Sequence, residues 1–370
     1  VGNVDVLILT KDIDSKGGVA SLYRLLKKHF NYERIELDYF YVGSSSVVYK
    51  QRNKRIFSYI IDSIGQFNRF RTYCKKSKPD IVVLNPSLIP VSLIRDGIYL
   101  LIAKYYNVKA IIFIHGWRNN TFERIKKNVL LRSLFIEVYD KADTFIVLSN
   151  SFHDWLSTLL PETPIYTLFI PYDDTLIHDY IDISNRSGFI FLSRISERKG
   201  IKELMEVAQS LLQAGHTQFS LKIYGHFANI KIEKWVKNYL DSHPEIRNSI
   251  YIGGFIDGDI KYSELRKSEV FVLPSWEEGC PTALIEAMAA GCYTIASNVG
   301  AIPEIITNNW NGQIINPKSK TQLSSALETF MRNRNELLTR CLNNRKQTNE
   351  KYDIKVFADR LTDILLGLIQ

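Results

Sequence analysis

The chain is poor in cysteine, in long apolar runs and in repetition, and each shortage removes a class of protein. Four cysteines in 370 residues, Cys74, Cys280, Cys292 and Cys341, stand scattered with no metal-ligand spacing. That excludes a disulfide-stapled scaffold and a cysteine metal site, and free thiols in a reducing cytosol are the simplest account. The most apolar segment, Ser87 to Ala110, is broken by Arg95, Asp96 and Lys104 and is too interrupted to span a bilayer. The opening VGNVDVLILT has no basic region ahead of an apolar core, so no signal peptide is expected in it. No low-complexity tract or short-period repeat occurs, which argues against a solenoid. A basic excess is missing from the second half: residues 151–370 hold 23 Lys plus Arg against 26 Asp plus Glu, whereas residues 1–150 hold 24 against 13. The first half is therefore expected to face an anionic partner, unless the excess is ordinary solvated surface; nucleic acid, acidic glycan and anionic membrane all fit by charge.

What is present is a globular composition, 45% hydrophobic and 23% charged, in a chain long enough for two domains. The most informative stretch runs from Pro274 to Glu304. A buried strand (Val270 to Leu273) leads into a loop with Glu277, Glu278 and Gly279. A helix follows from about Pro281 to Ala290, then Gly291 as a stop and TIASNVG as another strand. Pro281 suits the first helical position and Gly291 a left-handed exit. This order is one crossover unit of a parallel sheet and puts Glu278 at a strand's carboxyl edge, where open sheets bind ligands. Glu286 lies on an apolar helix and needs hydrogen-bond donors there, which polyol hydroxyls would supply. The plainer alternative makes Glu286 a cap for a neighbouring loop and Glu278 a solvated helix-start acid.

Elsewhere, strand Val4 to Thr10 is followed by Gly17 and Gly18 before a helix from about Val19 to Phe30. The two glycines let amides approach an anion at a helix start, or form a plain turn. His115 ends the strand IIFIHG. Arg194 follows the strand Phe189 to Ser193, and Lys199 precedes Gly200 and a helix; two such cations can clamp a diphosphate. Gly225 with His226, and Gly254 with Phe255, close the next two strands. Segments 47–78 and 121–143 interleave Lys and Arg with Phe, Tyr, Leu and Ile, a pattern that suits either an anionic lipid surface or the face of a domain core.

Glu278-x7-Glu286, Ala287-Met288-Ala289, Gly291 and Gly300-Ala301-Ile302-Pro303-Glu304 resemble the donor-site signature of retaining glycosyltransferases, glycosyltransferase family 4. Two departures stand out. Gly279-Cys280-Pro281 replaces the frequent Gly-Phe-Gly, and Pro171-Tyr172-Asp173 replaces the frequent Pro-Asn-Gly at the domain crossing. The resemblance implies a GT-B fold: two Rossmann-like α/β domains, residues 1–172 for the acceptor and 173–352 for the nucleotide-sugar, facing a central cleft, with a terminal helix 353–370 crossing back to the first. It implies that Arg194 and Lys199 bind the donor phosphates, with Gly17 and Gly18 approaching them from the other domain. It further implies that Glu286 holds ribose hydroxyls, that Glu278 holds the sugar with Gly279, Cys280, Pro281 and Thr282 around it, and that His115 sits beside that sugar. Gly225, His226 and Phe255 would touch the base. The expected reaction is transfer from a UDP- or GDP-linked sugar to a saccharide hydroxyl. The acceptor is expected to be lipid-linked, in surface polysaccharide or glycoconjugate synthesis on the cytoplasmic face of the inner membrane.

Asp12-Ile13-Asp14 and Asp257-Gly258-Asp259 match the short Asp-x-Asp metal pattern, but protein cations are expected to offset the phosphate charge, so no metal or other cofactor is expected. Two other classes compete. A sugar-nucleotide epimerase shares the architecture but lacks the Glu278 to Gly291 pattern. A polyanion-binding module would use the basic first half, although no nucleic-acid motif supports nucleic acid as a partner.

Overall fold

The computed structural model describes residues 3–15, 17–42, 56–116, 119–173, 182–308 and 310–369. The chain divides into two compact units, residues 1–170 together with 354–370, and residues 171–353.

In the first unit, short apolar strands alternate with helices: β1 (Val4–Thr10), α1 (Gly18–His29), β2 (Ile35–Tyr41), α2 (Ile56–Ser77), β3 (Ile81–Leu84), α3 (Pro90–Tyr105), β4 (Lys109–Ile114), α4 (Asn119–Lys127), α5 (Val129–Tyr139), β5 (Thr144–Val147), α6 (Asn150–Ser157) and β6 (Ile165–Thr167). The strands pair in parallel in the order β2-β1-β3-β4-β5-β6. Every residue of β3 and β5 is buried, as expected for central strands covered on both faces.

The second unit repeats the plan: β7 (Phe189–Leu192), α7 (Ile201–Gln213), β8 (Leu221–Tyr224), α8 (Ile230–Ser242), β9 (Ile250–Gly254), α9 (Gly258–Lys267), β10 (Val270–Leu273), α10 (Thr282–Ala289), β11 (Tyr293–Ser297), α11 (Ile302–Ile305), β12 (Gly312–Ile315), α12 (Lys320–Arg332) and α13 (Arg334–Tyr352). Its parallel order is β12-β11-β10-β7-β8-β9. The strand order reverses between β7 and β10, so a crevice opens at their carboxyl ends. The last helix, α14 (Ile354–Gly367), belongs to the first unit. There Phe357 stacks on Phe113 of β4, and Tyr32 donates to Asp359.

Two boundaries differ from expectation. Pro281 is the cap before α10 rather than its first residue, because its ψ of 107° is extended and the helix begins at Thr282. The sequence pattern suggests a short helix from Tyr262 to Ser268, whereas α9 begins earlier, at Gly258 right after Asp257, and ends at Lys267.

The two basic-apolar segments behave differently. Residues 47–55 lie outside the described residues. Along the rest of the first segment, Phe70 and Cys74 of α2 are fully buried, Phe70 against Phe40 and Tyr99, so this apolar stripe is domain core. Around the second segment, Val129, Leu130 and Leu134 of α5 and Val91 and Ile94 of α3 are 58–81% exposed.

The loops after β7 and β10 touch backbone to backbone. Gly200 has φ of 74°, and a Cβ there would stand 2.1 Å from the Pro274 carbonyl oxygen. Gly200→Ala is therefore expected to destabilise the second unit by about 3 kcal/mol or more, read as a lowered urea midpoint.

Candidate active site

The second unit gathers its candidate residues along one sheet edge. The loop after β7 carries Arg194, then a single 3-10 turn (Glu197–Lys199) that aims Lys199 at the loop after β10. The Trp276 amide donates to the Arg198 carbonyl at 2.8 Å, tying the loops together. Lys199 Nζ donates to Glu278 Oε1 at 2.5 Å, and Ser275 Oγ donates to the same oxygen at 2.7 Å. Lys199 and Glu278 are thus an ion pair, with Glu278 only 7% exposed at its side chain. Arg198 pairs with Glu277 at 2.8 Å farther out, where solvent screens it. The Arg194 side chain is exposed and has no partner among the described residues.

Gly279, Cys280, Pro281 and Thr282 lead from Glu278 into α10. Their loop is held from below: the Ala301 amide donates to the Gly279 carbonyl at 2.8 Å. A Cβ on Gly300 would lie 2.4 Å from both the Glu278 and Gly279 carbonyl oxygens. The Gly300–Glu304 run is a floor beneath the loop. Gly225 and Gly254 stand side by side, the Gly225 amide donating to the Gly254 carbonyl at 2.6 Å, and this brings His226 and Phe255 into a stack with centroids 4.5 Å apart and planes within 4°.

Glu286 is 5% exposed, and its partner is one the sequence reading missed. Lys261 Nζ on α9 donates to Glu286 Oε1 at 2.7 Å and lies 3.3 Å from Asp257 Oδ1. Burial pushes the Glu286 carboxyl up, and Lys261 pulls it back. Burial works against the Lys261 charge as well, but Glu286, Tyr262 and Asp257 together outweigh it and hold the ammonium above its ordinary value. The only signal in the sequence was the i,i+4 spacing of Asp257 and Lys261. One Asp-x-Asp match is thereby engaged by a lysine. The other is a local turn, with the Asp14 amide donating to Asp12 Oδ1 at 2.9 Å. Among the described residues no group of three or more His, Cys, Asp or Glu is arranged to hold a metal ion.

In the first unit Gly17 precedes α1 with φ of 138°, open space beside it and no side chain capping the helix; Gly18 is the first helical residue. His115 follows β4, Asn85 follows β3, and Tyr23 of α1 meets both. Asn85 Nδ2 donates to the Leu9 carbonyl at 2.8 Å, which turns Oδ1 toward His115 Nε2 at 2.7 Å and the Tyr23 hydroxyl at 2.6 Å. An amide oxygen only accepts, so Nε2 carries the proton and Nδ1 is a bare acceptor. Nδ1 is closed off from solvent and has no partner among the described residues.

Two parallel sheets with reversed strand order, each with its chemistry at the carboxyl edge, define the GT-B class of fold. Residues 178–348, all within the second unit, match the family "Glycosyl transferases group 1". An uncharacterized glycosyltransferase of Methanocaldococcus jannaschii is 25% identical over 145 residues, 38% of this chain and 35% of that protein. The amylovoran biosynthesis glycosyltransferase AmsK of Erwinia amylovora is 27% identical over 143 residues, 37% of this chain and 33% of AmsK. The chain thus spans about a third of the length of these curated relatives. Among solved structures, Anabaena HepE in complex with UDP-glucose superposes with a TM-score of 0.74 over 99% of this chain and 100% of that one, at 13% identity.

Burial lowers the His115 pKa from 6.5 to about 3. The folded value is depressed, so this histidine's contribution to stability is whole above about pH 6.5 and is lost as pH falls through about 3. NMR of the seven histidines should show the His115 ring as the Nε2–H tautomer with no titration between pH 5 and 8, and His115→Gln should flatten the stability profile below pH 6.5.

Proposed function

We propose that the chain is a retaining glycosyltransferase that moves a sugar from a UDP- or GDP-linked donor to a hydroxyl of a saccharide acceptor, without a metal. The observation that carries the reading is the clustering, on one sheet edge inside the family-matched residues, of free and paired cations, buried carboxylates and a stacked aromatic pair. Each suits one part of a nucleotide-sugar. Arg194 and Lys199 offset the leaving diphosphate, whose charge grows in the transition state, so fixed cations there lower the barrier. Glu278 and Glu286 accept from hydroxyls of sugar and ribose. Lys199 stays with Glu278 until a diphosphate competes for it. The His226–Phe255 stack suits a base. In the first unit the open amides at Gly17 and Gly18 suit the diphosphate, and His115 Nδ1, a buried acceptor, suits a sugar hydroxyl.

The acceptor proposed is lipid-linked, for surface polysaccharide or glycoconjugate synthesis at the cytoplasmic face of a membrane. No helix among the described residues is long and apolar enough to cross one. The exposed α3 and α5 side chains border a groove of about 430 Å³ lined by Leu93, Ile94, Ile98, Leu101, Leu134 and Phe135, with Arg124 at its edge. Lys126 and Lys127 of α4 and Arg132 of α5 are exposed on helices that contribute to its lining. Exposed apolar surface with cations on the same helices complements anionic lipid.

Arg194→Ala and Lys199→Ala should each lower kcat by about a hundredfold, while wild-type turnover persists in excess EDTA; near-normal rates in both variants would remove the phosphate assignment. In flotation with phosphatidylglycerol vesicles the protein should rise with the lipid at low salt and sink at high salt. Leu130→Glu/Leu134→Glu should reduce the floating fraction several-fold, and equal flotation of the double variant would count against this face.

A further inference from the structure

We propose that Lys261 is a positioning residue for the donor's ribose: it binds one oxygen of Glu286 and leaves the other to accept a ribose hydroxyl. This rests on the donor-site reading above and deepens it. The contacts on α9 and α10 carry the argument. Glu286 is buried on α10 among Leu284, Ile285, Ala287 and Met288, a setting that offers its carboxylate no other side-chain donor. Lys261 reaches Oε1 at 2.7 Å, and Oε2 has no partner among the described residues. A buried carboxylate left with one unfilled oxygen is a strong acceptor held in a single orientation.

Lys261 is itself only 8% exposed, and it sits 4.6 Å from the Tyr262 ring centroid. Its ammonium donates to Glu286 and forms an ion pair with Asp257 at 3.3 Å. With both carboxylates fixed on one cation, Glu286 cannot swing toward solvent. Asp257 and Asp173 both act electrostatically on Glu286, so without the lysine the carboxylate would be repelled and drawn toward its neutral form. A neutral carboxyl could turn its own hydroxyl outward and donate instead of accept. Lys261 therefore decides both where Glu286 points and whether it accepts.

The experiment measures binding of UDP and GDP against their 2′,3′-dideoxy counterparts by calorimetry on the full chain. Wild type is expected to prefer the ribonucleotide at least tenfold. Lys261→Met should bring that preference to within about threefold, and Lys261→Arg should keep most of it. A folded Lys261→Met that retains the full preference overturns the proposal, even with a lowered Tm, because a purely structural lysine would change stability without changing discrimination. Should Lys261→Met fail to fold, Lys261→Gln serves. Its shorter amide cannot reach Glu286 and Asp257 together, so the preference should fall at least threefold, and an unchanged value overturns the proposal. Wild type that binds a nucleotide without discriminating ribose also overturns it. Wild type that binds neither UDP nor GDP strikes the donor-site reading itself.

Discussion

Backbone contact closer than any side chain permits holds the carboxyl edge of the second unit's sheet together. Gly200 lies against the Pro274 carbonyl and Gly300 against the carbonyls of Glu278 and Gly279, both with positive φ. Strands β7 and β10 are neighbours although some eighty residues separate them in the chain, and it is these approaches that bring the two loops into register. Everything chemical at this edge depends on that register. The Lys199 ammonium meets the Glu278 carboxylate only because the 3-10 turn at Glu197–Lys199 is pinned beneath Trp276.

Charge is handled in pairs at this edge. Each glutamate of the Glu-x7-Glu signature has its own lysine, Lys199 for Glu278 and Lys261 for Glu286, and each pair joins two elements of the sheet edge. Pairing offsets the cost of burying these charges, and it leaves one oxygen of each carboxylate without a partner among the described residues. Arg194 is the exception, an exposed cation with no partner among the described residues. The first unit solves its own problem without charge. Neutral His115 is oriented by Asn85, and Asn85 by the Leu9 carbonyl, a chain of hydrogen bonds across the ends of three adjacent strands. The same unit keeps one apolar stripe, on α2, as core and turns another, on α3 and α5, outward.

Much of the architecture was legible in the sequence. Short apolar runs such as Ile81–Leu84 and Val270–Leu273, each followed by a helix, read as buried parallel strands because both their faces are covered. Helix α1 was placed within one residue, its start marked by Gly17 and Gly18. The candidate residues Arg194, Lys199, Gly225, His226, Phe255 and Glu278 stood out because they follow strands, and sheets of this kind end at one edge. Asn85 also follows a strand, yet nothing marked it, since an asparagine there reads as a turn until its partners are seen. Lys261 was missed for a related reason: a lysine on a polar helix reads as solvated surface.

The sequence by itself determined the alternation of strands and helices and the motif that concentrates carboxylates and small residues between Pro274 and Glu304, because periodicity and backbone preference act over a few residues. Only the tertiary structure decided which charges meet. The pairs Lys199–Glu278 and Lys261–Glu286 span 79 and 25 residues, and the proton position on His115 is set by Asn85, 30 residues away. Such pairings follow from strand order and from which loops can touch, and no local pattern in the chain encodes either.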